Sequence, residues 1–448
     1  MLIIILCLIA SGSFAAGGFE KPVLWSARSA QHGGAYASSV KGPEALLFNP
    51  ASLKSDDKKE LYFGISAAAG SSTAPLLTDN EVTTFSGPVT PLSIMYAQSI
   101  SSTESLGIGL YGLGGLDCGF NNVNLNSFGS EFSSYRPDIY GRLSVLEFGL
   151  GYAKNLNDNF SLGVTLRQHI ARGGFAQASA SRSEGLGGMG IPDGTLLAIS
   201  RGEFKDLKGM AFGAYTLGMN FLSDDKRGGV SVVYRSRVIF DLKSKSSGEV
   251  VYSNAGAAAS GATAGRINKL SGNNSTISSS FPEAWTLSGF REMFTDNRLH
   301  LEYTWTEYSS NDYLSINGRL TNPVDGTTSS VPDVNLNWKD LHDFKIGWTN
   351  QSVEDWIFGG GYSLSLPVTD RSATGPTFAA PAPYHHFYLG LGKKYKKFRM
   401  DFAYENYFAN GAGKSEEIHS TNQFSPSVSG NYETRAYAFF GSINYYLE

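Results

Sequence analysis

From Lys58 onward the chain alternates apolar and polar residues with period two, in segments of about ten residues. In 298–306 one face carries Leu299, Leu301, Tyr303 and Trp305, and the other Arg298, His300, Glu302 and Thr304. In 398–408 Phe398, Met400, Phe402 and Tyr404 oppose Arg399, Asp401, Ala403 and Glu405. Neighbouring side chains on a strand point to opposite faces, so each segment has one greasy face, with rings near its ends, and one polar face. A lipid-facing wall with aromatic girdles around a polar lumen has this pattern.

The pattern predicts fourteen strands, near 58–69, 91–99, 103–113, 144–155, 159–170, 209–222, 227–243, 281–293, 297–308, 340–350, 353–365, 384–394, 397–408 and 435–447. Short turns at 100–102, 156–158, 223–226, 294–296, 351–352 and 395–396 alternate with long loops at 70–90, 114–143, 171–208, 244–280, 309–339, 366–383 and 409–434. A soluble sandwich has no reason to segregate loop length this way. Outer-membrane barrels do, with short periplasmic turns and long extracellular loops. The expected fold is therefore an all-β, 14-stranded antiparallel transmembrane barrel over 58–448, with both termini periplasmic.

Ahead of the barrel, Met1 to Ala10 is one apolar run, and Ser13-Phe14-Ala15 satisfies the small-residue rule for signal-peptide cleavage. Residues 1–15 are read as an export leader. Residues 16–57 do not alternate and carry the apolar patch Ala45-Leu46-Leu47-Phe48. A barrel of fourteen strands is too wide to be filled by its own side chains. This stretch is a candidate hatch, or plug, in the lumen; the alternative is a disordered periplasmic tail.

Composition agrees with a barrel wall. Charged residues make up 17% and aromatic residues 13% of the 448, with 52 glycines, against usual values of about 25% charged and 7% glycine. A net charge of −4 leaves no basic footprint for nucleic acid. With Cys7 in the leader, Cys118 has no partner for a disulfide, and the scattered histidines suggest no metal site. No GxSxG or HExxH string is present, no cofactor is implied, and no catalytic residue is expected.

Several strings resemble the outer-membrane long-chain fatty acid and hydrocarbon transporters of the FadL/TodX type. They are Gly18-Phe19, Gly33-Gly34-Ala35-Tyr36-Ala37 and Leu47-Phe48-Asn49-Pro50-Ala51-Ser52-Leu53 in the hatch. Further on are Phe281-Pro282-Glu283-Ala284-Trp285, Asn337-Trp338-Lys339-Asp340, Gly361 to Val368, and Ala380 to His386. The resemblance implies a hatch motif at Asn49, Pro50 and Ala51. It also implies an external groove formed by the third and fourth long loops, a pocket in the lumen, and sideways release through an inward kink of the third strand. In this chain Gly112, Gly114 and Gly115 are where such a kink is easiest, since glycine weakens a strand interior. The groove would draw on Phe175, Leu186, Met189, Ile191, Leu196, Leu197 and Ile199 of loop 171–208; these residues alternatively cap the barrel mouth.

Arg167, Arg172, Arg235 and Arg237 are candidate contacts for a ligand carboxylate. The other reading places them in a lumen ion-pair network with Glu147, Glu302 and Glu405. The function expected is passive entry of hydrophobic molecules across the outer membrane, long-chain fatty acids first and hydrocarbons next. An aqueous porin, a structural barrel and a surface lipase are the alternatives. The expected partners are the ligand, outer-membrane lipid and the barrel-assembly machinery during biogenesis, for a protein acting as a monomer.

Overall fold

The computed structural model describes residues 26–54, 59–76, 79–87, 93–311, 313–324, 326–331, 333–371, 380–413 and 430–447. The leader, the first part of the hatch segment including Gly18-Phe19, and much of loops 366–383 and 409–434 lie outside them.

Fourteen strands close into one antiparallel barrel. In chain order they are β1 (Lys59–Leu76), β2 (Ser93–Ser99), β3 (Glu104–Phe120), β4 (Ile139–Asn155), β5 (Phe160–Arg182), β6 (Leu196–Leu222) and β7 (Gly228–Arg235 continued by Val238–Tyr252). After these come β8 (Ile267–Phe281 continued by Ala284–Phe294), β9 (Asn297–Thr306), β10 (Leu341–Asn350), β11 (Trp356–Ser365), β12 (Tyr384–Lys394), β13 (Phe398–Gly413) and β14 (Gly430–Leu447). Each pairs with its neighbour, and β1 closes the ring by pairing with both β2 and β14, Lys59 opposite Gln98 on one side and Leu447 on the other.

The outward face is apolar all the way round. Ile65, Leu166, Phe212, Leu301, Leu389 and Phe439 are each more than half exposed, which in water would be an anomaly and in a bilayer is the lipid contact. Rings gather at its borders; Trp356 stacks on Phe358, and Tyr395 on Phe398, beside the short turns. Among the described residues no helix is long and apolar enough to cross a membrane, so the crossing elements are strands.

The long connections differ from expectation. Residues 171–208 and 244–280 are mostly strand: β5 and β6 run on as a paired hairpin as far as Arg182 opposite Leu196, and β7 and β8 as far as Val251 opposite Ile267. Residues 68–76 likewise pair with a further strand, Asp79–Gly87. Beyond the lipid band a strand needs no greasy face, so the alternation that marked the staves fades where the ladder continues. The segment 114–143 keeps less loop than expected, since β3 and β4 extend into it. Two strands are interrupted. β7 breaks at Ser236-Arg237, and β8 at Pro282-Glu283, where proline cannot donate to the ladder.

Candidate functional site

Residues 26–54 fill the lumen near the short-turn end. They form the helices α1 (Ala27–Gln31) and α2 (Ala45–Phe48), with single 3-10 turns at Gly42–Glu44 and Pro50–Ser52. Leu46, Leu53, Ala30 and Ala45 are fully buried. The disordered-tail alternative therefore does not describe this stretch. Asn49 shapes the motif predicted at Asn49, Pro50 and Ala51: its Oδ1 accepts the Ala51 N–H at 3.1 Å, and its Nδ2 donates to the Ala37 carbonyl at 3.0 Å. Pro50 sits at the first position of the following turn, where its missing N–H costs nothing.

The wall grips this segment from all sides. Arg28 donates to Asp401 of β13 at 3.0 Å and lies 3.3 Å from Glu44. Glu44 also accepts hydrogen bonds from Ser26 and from Tyr36. Gln31 donates to the Ile357 carbonyl of β11, and Ser38 N–H to Ser288 of β8. Glu302 of β9 is the central clamp. Its Oε2 accepts the backbone N–H of Tyr36 (3.0 Å) and Ala37 (2.9 Å), while Oε1 accepts from Lys345 (2.8 Å).

Inward-facing glycines on the wall leave room for the hatch backbone. A Cβ on Gly347 would overlap the His32 carbonyl, and one on Gly163 would overlap Pro50. Gly107 of β3 faces the Leu53 and Leu46 side chains, and Gly109 faces Met95 of β2 and Leu46. His32 is half-buried beside His300, ring centroids 4.6 Å apart, and its desolvation in the lumen pushes its pKa down to about 3.

Above the hatch lies a layer of buried charge. Glu147 accepts from Tyr111 Oη at 2.6 Å, from Arg235 Nη2 at 2.7 Å and from Arg167 Nη1 at 3.2 Å, and His169 Nε2 lies 2.6 Å away. Arg167 also donates to the Ser236 carbonyl at 2.8 Å, which the interruption of β7 leaves outside the ladder. Two of the four candidate arginines are thus committed to Glu147. Arg237 bonds Glu307 at 2.6 Å and is partly exposed. Arg172 is a correction: it sits on the outward face of β5, in phase with Leu166 and Ile170, and does not enter the lumen. The expected network is split rather than continuous, with Glu302 held by Lys345, and Glu405 by His386 at 2.8 Å.

An aromatic layer caps this charge. Phe240 packs edge-on against His169 (5.8 Å) and Phe281 (5.3 Å), and Tyr308 meets Trp338 at 5.6 Å. Val123, Leu125, Phe132 and Tyr135 from the connection between β3 and β4 fold into the mouth and are buried. A cavity of about 90 Å³ lies between the hatch residues Leu47 and Phe48 and the wall residues Arg235, Glu302, Tyr308 and Lys345.

The seven predicted groove residues do not share one surface. Phe175 and Ile199 are buried facing inward, and Ile191 is buried near the hairpin tip. Leu186, Leu196 and Leu197 are half-buried, and Met189 is 59% exposed. The two hairpins do meet as expected: Ser253, which caps α3 (Asn254–Ser260), donates to the Leu196 carbonyl.

At β3 the predicted glycines coincide with an irregularity. The β3–β4 register shifts between Gly112 and Gly114, so that Leu113 is an extra residue on that edge and is fully buried. On the other edge, β3 pairs with β2 from Ser105 opposite Ser99 to Leu110 opposite Ile94. The sequence reading missed Leu113, Tyr111 and the clamp role of Glu302. Inward glycines a few residues from each short turn were the signal available for the hatch contacts.

A family model for outer membrane protein transport protein (OMPP1/FadL/TodX) matches residues 7–446. The chain belongs to this family. No curated protein matches it significantly. Among solved structures it is similar to a FadL homologue of Pseudomonas aeruginosa (14% identity, TM-score 0.71, 98% of this chain and 100% of that one). It is also similar to the toluene transporter TodX of P. putida (14%, TM-score 0.70, 94% and 98%) and to the toluene transporter TbuX of Ralstonia pickettii (15%, TM-score 0.60, 96% and 99%). At these identities the likeness establishes the fold: a closed fourteen-stranded barrel with an N-terminal hatch. The family is one of outer-membrane transport proteins rather than enzymes, and the chain is accordingly a channel for hydrophobic molecules.

Proposed function

We propose that this barrel passively admits hydrophobic small molecules at its long-loop, extracellular end and releases them sideways into the membrane between β2 and β3. The observation carrying this reading is the register shift of β3 between Gly112 and Gly114, with Leu113 fully buried there. A bulge bends its strand and locally disrupts the ladder, and glycines on either side make that bend easier. A bend of the third strand is what sideways passage of a ligand requires. The buried hatch, clamped to five or more wall strands, argues against an open aqueous pore.

For the ligand, the aromatic layer and the commitment of Arg167 and Arg235 to Glu147 favour an uncharged molecule of the monoaromatic class. Long-chain fatty acids are the second reading, favoured by Arg235 and Lys345 both lining the cavity. At about 90 Å³ that cavity is smaller than the roughly 150 Å³ space that holds benzene in an engineered core. Either ligand therefore requires Phe48 or its neighbours to move. The test is deletion of Leu113, which restores β3–β4 register. In cells expressing a folded variant, uptake of labelled toluene or oleate is expected to fall to the vector background. Uptake equal to the parent protein would refute sideways release here, and the better-transported of the two labels decides the ligand class.

A further inference from the structure

The outward arginine that the lumen does not use belongs to a second feature. Arg172 of β5 is directly opposite Lys208 of β6, and Lys208 is directly opposite Lys243 of β7. All three are exposed and on the same outer face. Side chains directly opposite on neighbouring strands have Cβ atoms about 5 Å apart, and like charges so placed repel. Other exposed bases of the barrel find an acid, as Arg237 does Glu307 and Arg435 does Glu433. Lys205, close by, reaches Glu203 at 3.1 Å. No carboxylate among the described residues is within ion-pairing distance of Arg172, Lys208 or Lys243. Two exposed acids flank the row, Asp206 two residues before Lys208 and Asp241 two before Lys243, and Asp241 accepts a hydrogen bond from Ser278 at 2.7 Å. A chain of net charge −4 has thus gathered three cations outside any ion pair in one row.

The place of the row identifies what would compensate it. The next outward pair toward the membrane is Ile170 opposite Met210, and Ile239, two outward positions below Lys243 on β7, is 66% exposed. From Leu162 to Ile170 the outward face of β5 rises about 20 Å at the usual strand tilt, close to the roughly 25 Å apolar band of such barrels. The cations therefore stand at the outer border of the hydrocarbon, where the headgroups of the external leaflet lie. We infer that Arg172, Lys208 and Lys243 form a binding site for the phosphate groups of an outer-leaflet lipid whose acyl chains lie along Ile170, Met210 and Ile239. This site rests on the outer-membrane placement of the barrel and is independent of what the lumen carries.

The test is titration of the full-length protein in neutral detergent with diphosphorylated lipid A, dephosphorylated lipid A and inorganic phosphate, read by native mass spectrometry. Each basic residue at an anionic lipid surface is worth roughly fivefold in affinity. Arg172→Gln, Lys208→Gln and Lys243→Gln together are therefore expected to weaken the phosphorylated lipid about a hundredfold. The variant Lys393→Gln/Lys394→Gln/Lys396→Gln/Lys397→Gln, at the opposite end of the barrel, is expected to bind as the parent does. Folding is checked by heat-modifiable gel mobility. Should the triple variant not fold, the parent alone decides, because its lipid affinity must fall with rising salt. Undiminished binding by the triple variant, equal binding of the dephosphorylated lipid, inorganic phosphate binding as tightly as the lipid, or affinity indifferent to salt would each overturn the inference.

Discussion

Replacing Glu302 by alanine tests how the hatch is held. The carboxylate accepts two backbone N–H groups of the hatch, from Tyr36 and Ala37, and is itself only 8% exposed. Hydrogen bonds to a charged group contribute about 1.5–3 kcal/mol each, so losing both costs the docked turn about 3 kcal/mol or more. Lys345 keeps Asp343 at 3.4 Å, and the β9–β10 ladder is unaffected, so the barrel wall stays intact. At 1.4 kcal/mol per decade, amide exchange over residues 34–40 is expected to accelerate roughly a hundredfold. Exchange in the wall strands should not change. The more conservative Glu302→Gln retains one acceptor and should fall between. Hydrogen-exchange mass spectrometry in detergent reads all three proteins, and unchanged protection of 34–40 in Glu302→Ala would refute the clamp.

Other consequences follow from the same contacts. Gly347→Val drives a side chain into the His32 carbonyl, so the barrel is expected to fold with its hatch displaced, seen as increased small-ion conductance in planar bilayers. Arg28→Met leaves Glu44 buried without its cation, while Asp401 keeps Arg399 at 2.6 Å; docking should weaken by about 3 kcal/mol, and Glu44→Gln added to it should restore most of that. Because desolvation in the docked hatch pushes the His32 pKa down to about 3, the undocked hatch binds more protons between that value and about 6.5. Hatch docking should therefore weaken as pH falls below 6.5, by about 2 kcal/mol at pH 5, measured as exchange at 26–40; His32→Gln should flatten that dependence.

The barrel was legible because a lipid-facing wall writes itself into every stave as period-two alternation, and the short turns bracket each pair. Residues 171–208 were misjudged as loop because strands outside the bilayer lack the greasy face that announces the rest. Two of the surplus glycines, Gly112 and Gly114, flank a register shift of β3. The surplus did not reveal that Gly163, Gly218 and Gly347 make space for hatch residues more than a hundred positions earlier in every case, since long-range clearance leaves no local pattern. The four arginines show the same limit. Arg167 and Arg172 are five apart, which on an unbroken strand places them on opposite faces, yet their partners Glu147 and Lys208 depend on register across strands, which one strand's sequence does not encode.

The central claim is that this lumen carries hydrophobic molecules and excludes polar solutes of similar size. Its most direct test is the initial uptake of toluene and of a small sugar, each labelled and at limiting concentration, by cells whose only added outer-membrane channel is this protein. The account predicts faster toluene uptake than in vector-only cells, with sugar uptake unchanged. Accelerated sugar entry, or toluene entry no faster than in vector cells despite folded protein in the membrane, would contradict it.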